Sequence, residues 1–142
     1  MLHDAADRVS EPMPSALRTA YEAALRSTIE AVGPEAVAND AAIEADRIEA
    51  LAAGDSPDLT AEEAAAILAV DPDQPDAEAI VFELRDHLLM GMTTGVLDVD
   101  TIAATIDVDL TGQEIQQAIE GRAAMTLEQL AAIQSVIDGR EA

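Results

Sequence analysis

Apolar residues recur along this chain every three or four positions, in runs that stop at Gly, Pro, Asn and Asp. From Pro14 to Val32 the series Leu17, Tyr21, Leu25, Ile29 and Val32 draws one stripe of an amphipathic helix, with Pro14 tolerated at its start and Gly33 closing it. Arg18 and Arg26 lie four residues either side of Glu22, the spacing of exposed ion pairs on a helix, so this flank is expected to be a solvated stripe. Shorter helical segments follow over 35–39, 44–53 and 60–70. They are separated by Asn39-Asp40, by Gly54-Asp55-Ser56-Pro57 and by Asp71-Pro72-Asp73-Gln74-Pro75, all turn-forming sequences. Thr60, with Glu63 three residues on, predicts a capping box at the start of the third segment.

The most apolar stretch comes next. Ile80, Val81, Phe82, Leu84, Leu88, Leu89, Met90 and Met92 cover most of a helix's circumference, which predicts a central, buried helix. Gly91-Met92-Thr93-Thr94-Gly95 is expected to break it, and segments 98–105, 111–120 and 126–137 supply three further short helices. Met90, Met92, Val96 and Leu97 are expected to pack where the halves meet, the other reading being an exposed, adaptable partner surface.

The second half repeats the order of the first. Aligned on Gly54 and Gly121, the series Val37-Ala38, Ile43, Ile48, Leu51, Leu59-Thr60 and Ile67 matches Ile102-Ala103, Val108, Ile115, Ala118, Met125-Thr126 and Ile133, with small offsets in the turns. The expected fold is all-α: tandem degenerate helix-turn-helix-like units packed around a central apolar helix. Residues 1–12 would form a flexible N-terminus, 13–70 the first unit, 71–75 a linker and 76–142 the second unit.

Composition narrows the function classes. Twenty-nine acidic residues face seven basic ones, all Arg, giving a formal charge of -22. Such crowding opposes compaction at low ionic strength and is screened at about 1 M salt, where the Debye length is roughly 3 Å. A salt-rich cytosol is the expected setting. With no Cys, the chain has no disulfide, thiolate nucleophile or cysteine zinc site. No run reaches the ~20 apolar residues of a membrane span and the start lacks signal-peptide order, so the expected place is the cytoplasm. His3 and His87 are the only histidines. Asp86-His87, with Glu83 and the Thr93-Thr94 pair nearby, reads as structural rather than as a metal site or a triad. The acidic strings 71–76 and 98–109 lack the ligand order of a calcium loop, and no phosphate loop is present. No catalytic residue, cofactor or metal is expected.

A small residue followed by spaced aliphatics and a closing Gly describes two short helices crossing at a tight turn. Val37, Ala38, Ile43, Ile48, Leu51 and Gly54 stand at those distances, and this stretch resembles the helix-turn-helix of the Cro and C1 repressor superfamily. Over nearly its full length, and most clearly from Asp86 to Asp100, the chain is also similar to a small haloarchaeal family of unknown function. The first resemblance implies that the helix after each turn faces the DNA major groove. In the first copy that helix carries Glu44, Asp46 and Glu49 against one Arg47, which phosphate would repel, so it reads as scaffold. In the second, Gln113, Gln116 and Gln117 replace the usual carboxylates and Arg122 follows; Gln can pair with adenine through two hydrogen bonds. Two functions follow from different classes. One is a DNA-binding transcriptional regulator acting as a homodimer through Gln113, Gln116, Gln117 and Arg122. The other is a protein-interaction adaptor on the same degenerate scaffold, without nucleic acid.

Overall fold

A computed structural model describes residues 2–8, 13–106 and 108–141. Among them the chain is all-helical: a 3-10 helix over Leu2–Arg8, then α1 (Pro14–Val32), α2 (Pro34–Ala41), α3 (Ala45–Ala52), α4 (Ala61–Leu68), α5 (Ala77–Gly95), α6 (Val99–Thr105), α7 (Gly112–Ile119) and α8 (Leu127–Glu141). No helix among the described residues is long and apolar enough to cross a membrane.

The order long helix, two short helices, fourth helix occurs twice, as the repeat predicts. Thr60 and Thr126, equivalent in the two copies, meet in an isolated antiparallel bridge. The Ala61 amide donates to the Met125 carbonyl at 2.7 Å, and the Leu127 amide donates to the Leu59 carbonyl at 2.9 Å. Each of these threonines also caps its helix. Thr60 forms the predicted box with Glu63, and Thr126 exchanges the same two bonds with Gln129 at 3.1 Å. The copies are thus joined at matched points by reciprocal bonds, and their packing is reciprocal as well: α1 lies on α4 and α8, and α5 lies on α8 and α4.

A single apolar cluster runs through both copies. The first residues, placed outside the packed units by the sequence, add Leu2 and Ala5 to it. The segment 71–75 turns tightly: the Asp73 amide donates to the Asp71 carboxylate at 2.9 Å and the Gln74 amide to the Asp71 carbonyl at 3.0 Å.

The central helix is α8 rather than α5. Leu130, Ala131, Ala132, Ile133 and Gln134 are five consecutive buried residues, which needs cover on every side, and α1, α4, α5 and α6 supply it. α5 buries Ile80, Val81, Leu84 and Leu88 and leaves Phe82, Leu89 and Met90 exposed. Nor do the glycines break α5 at Gly91. The helix continues through Gly95, because a helical glycine costs only about 1 kcal/mol and burial of Leu97 at 9 % exposure anchors the far end. Val96 ends it in the left-handed conformation, φ 53°, and the Leu97 amide reaches back to the Met92 carbonyl at 2.8 Å.

The α1 stripe around Glu22 is likewise not a solvated one. Glu22 is 3 % exposed, accepts from the Ser56 hydroxyl at 3.0 Å and lies 3.5 Å from Arg18. Arg26 turns away from it and donates to the Leu51 and Asp55 carbonyls at 2.7 and 3.1 Å, placing a cation at the C-terminus of α3. Helical spacing brings Glu22 within reach of both arginines. The turn after α3 decides which contacts form.

Candidate interaction surface

Two exposed faces could meet a partner, and their chemistry differs. The first belongs to α7. Ile115, Ala118 and Ile119 are buried, so the opposite side, with Gln113 and Gln116, faces outward, and Gln117 is half-buried. Thr111 and Glu114 close a capping box at its start. Gln116 donates from Nε2 to Glu120 at 2.8 Å, and Arg122 pairs with the other oxygen of the same carboxylate. The hydrogen bond from Gln116, and then Arg122, hold the Glu120 carboxyl below the usual range, so it stays charged. Of the four residues singled out by sequence, Gln116 and Arg122 therefore gather on one carboxylate at the C-terminal end of α7, Gln113 lies exposed in its first turn, and Gln117 is half-buried.

Arg47 and Arg85 are occupied too. Arg47 grips Glu63 with two bonds, 2.6 and 2.8 Å, and also donates to the Asp58 carbonyl. Arg85 pairs with Glu62 at 3.3 Å and lies against Gly121, where a β-carbon would come within 2.6 Å of its guanidinium. The Arg47 guanidinium beside Glu63 holds that carboxyl below its ordinary range. A lowered carboxyl pKa stabilises the fold above the unfolded value, and the contribution is lost as pH falls through the folded one. Arg47→Met should accordingly cost about 1–2 kcal/mol near neutrality and flatten the loss of stability below the usual carboxylate range. Urea unfolding of both proteins across that pH range checks it.

The second face runs along the outside of α5. Phe82 is 67 % exposed, Leu89 49 % and Met90 62 %, and Val96 just past the helix is 84 % exposed. Of the large apolar side chains exposed among the described residues, only Met13 lies elsewhere. Asp86 and Thr93 complete the strip. From His87 to Leu97 the sequence holds no Asp, Glu, Lys or Arg, in a chain of charge -22. The cluster Met90, Met92, Val96 and Leu97 therefore divides: Leu97 is core, Met92 is half-buried, and Met90 and Val96 face solvent. This is a correction to the expected packing between halves. The two halves close through α8 and the Thr60–Thr126 bridge instead. His87 lies at the edge of the strip, its ring 5.2 Å from that of His3, and shares a cleft with Thr94, Gln134 and Asp138. No group of three or more potential metal ligands occurs among the described residues.

Comparison of the two copies would have revealed this face. Both long helices have 19 residues, and aligning their ends pairs buried Leu17, Tyr21 and Leu25 with buried Ile80, Leu84 and Leu88. The same register pairs Thr19, Ala23, Arg26, Ser27 and Glu30 with Phe82, Asp86, Leu89, Met90 and Thr93. One outer face is polar and its counterpart is largely apolar.

A family model described as a family of unknown function, DUF5791, matches residues 17–140. The chain belongs to that family. No curated protein and no solved structure matches it. The match spans both helical copies of the DUF5791 chain, from α1 to α8, so the repeat lies inside one family unit. It includes both candidate faces, α7 and α5.

Proposed function

We propose that this DUF5791 protein is an interaction module that docks another protein through the outer face of α5, on two degenerate helix-turn-helix-like units. The observation that carries the reading is the apolar strip Phe82, Leu89, Met90 and Val96, exposed with Asp86 as its one carboxylate on a chain of charge -22. Leaving several large apolar groups together in water forgoes burial energy of about 25 cal/mol per Å², and such patches are characteristic of interaction surfaces. The acidic remainder fits operation in a salt-rich cytosol, where like charges are screened and apolar contacts persist.

A DNA-binding regulator is the second reading, favoured by the exposure of Gln113 and Gln116 on the helix after the second turn. Against it, Gln116 and Arg122 are both drawn to Glu120, and Arg47 in the first copy is spent on Glu63. Phosphate contacts supply most of the affinity for nucleic acid, and they need free cations.

Immobilised protein at high KCl, challenged separately with proteins and with genomic fragments, tests the two readings. Retained protein should be lost in the Phe82→Glu/Leu89→Glu double variant, and no fragment should be enriched. Enrichment of DNA that Gln116→Glu/Gln117→Glu removes would establish the regulator and overturn the module. So would the absence of any protein contact, self-association included.

A further inference from the structure

We infer that the occupant of the α5 face is a second copy of this chain, paired antiparallel about Leu89; this rests on the interaction-module reading. The apolar residues are symmetric about that point. Phe82 and Leu89 stand seven residues apart on one face of α5, and Val96, the residue that ends the helix, stands seven further along, so the three span about 21 Å at 1.5 Å per residue. A two-fold axis at Leu89 sets Leu89 on Leu89 of the second copy, and the large Phe82 ring opposite the smaller Val96 at both ends. The same operation sets Asp86 opposite Met92, Arg85 opposite Thr93 and Glu83 opposite Gly95. Between Phe82 and Val96 no carboxylate meets a carboxylate. A parallel pairing would put Asp86 on Asp86. A closed two-fold contact needs a surface that complements itself, and this strip does.

Charge selects the same partner. A basic protein gains most from carboxylates, and this strip offers one, Asp86. Another body of charge -22 can approach closely only where carboxylates are absent, and residues 87–97 are such a place.

Val96 adds a third, independent observation. It holds φ 53° while 84 % exposed, although a β-branched residue in the left-handed region is a conformational outlier. Gly33, the equivalent end of α1, has φ 103°. The described residues leave most of that valine in water, whereas the pairing gives its side chain a Phe82 ring to cover.

A strip on one helix falls near or below the roughly 1,000 Å² of a specific interface, so the dimer is a weak one. Screening removes the repulsion between copies, so added salt tightens it, opposite to the effect on a partner held by charge.

Sedimentation equilibrium of the full chain from low to multimolar KCl tests the inference. The mass should climb from 14.8 kDa toward twice that value with concentration, and further with salt. Leu89→Glu should keep the protein monomeric, whereas Met13→Glu, at the exposed apolar residue away from the strip, should not. Val96→Gly should raise the melting temperature and weaken association together. The chain has no cysteine, so register can be read directly. Leu89→Cys should cross-link to itself. Phe82→Cys should cross-link only when combined with Val96→Cys, since position 82 of one copy would lie about 21 Å from position 82 of the other, far beyond the ~7 Å a disulfide can bridge. A wild type monomeric at every salt concentration overturns the inference, as does association that salt weakens, that Leu89→Glu leaves intact or that Phe82→Cys alone captures. If that monomer still retains other proteins through Phe82 and Leu89, the module reading stands alone; if it retains none, both fall.

Discussion

Leu88→Ala is expected to lower stability by about 2–5 kcal/mol, while Leu89→Ala, one residue further on, costs no more than about 0.5 kcal/mol. Leu88 is fully buried where α5 packs on α4 and α8; Leu89 is 49 % exposed. Truncating the first removes buried methyl groups and leaves a cavity whose walls relax only in part, and the loss falls on a core shared by both copies. Truncating the second removes surface that water already reaches. The chain has one Phe, one Tyr and no Trp, so each large aliphatic carries a large share of the burial. Urea unfolding at fixed high salt, with the slope compared between variants, measures both changes. Equal losses at the two positions would mean that α5 is enclosed all round.

Stability should climb by several kcal/mol between low and multimolar KCl. Two carboxylates about 10 Å apart in water repel by about 0.4 kcal/mol, and at about 1 M salt screening removes most of that. Folding draws 29 acidic residues into one small body with seven basic ones to offset them, so the many weak repulsions accumulate. Salt also weakens the ion pairs of Arg47 with Glu63 and of Arg85 with Glu62, but these are few against the excess of carboxylates. The capping boxes at Thr60, Thr111 and Thr126 are short-range and persist. Melts followed by circular dichroism across a salt series check the result. A midpoint that does not move with salt would contradict it.

The helical character, the order of the helices, the duplication and the Thr60–Glu63 box can all be read along the chain, because each depends on spacing within about four residues and on capping chemistry next to the helix it serves. The faces are harder. Periodicity states that a residue is apolar but not which neighbour covers it, so α5, apolar on most of its circumference, reads as central. α8, whose sequence carries Gln129 and Gln134 among its aliphatics, reads as ordinary. The helical period does place Gln113 and Gln116 on the exposed side of α7, since Ile115, Ala118 and Ile119 fix the buried side. That Glu120 gathers Gln116 and Arg122 depends on rotamers at the helix end, which the spacing leaves open.

By itself, then, the sequence determined what is local and what is global in charge: helices in two matched sets, their caps, and a strongly acidic surface. The tertiary structure alone decided what depends on contacts between distant residues. It closed the copies on each other through Thr60 and Thr126, enclosed α8 between α1, α4, α5 and α6, sank Glu22 beside Ser56 and left the Phe82–Leu89–Val96 strip uncovered. The physical reason is that burial is a property of pairs of surfaces. A helix writes its own stripe into the chain, but the partner that covers the stripe is chosen by packing between segments tens of residues apart.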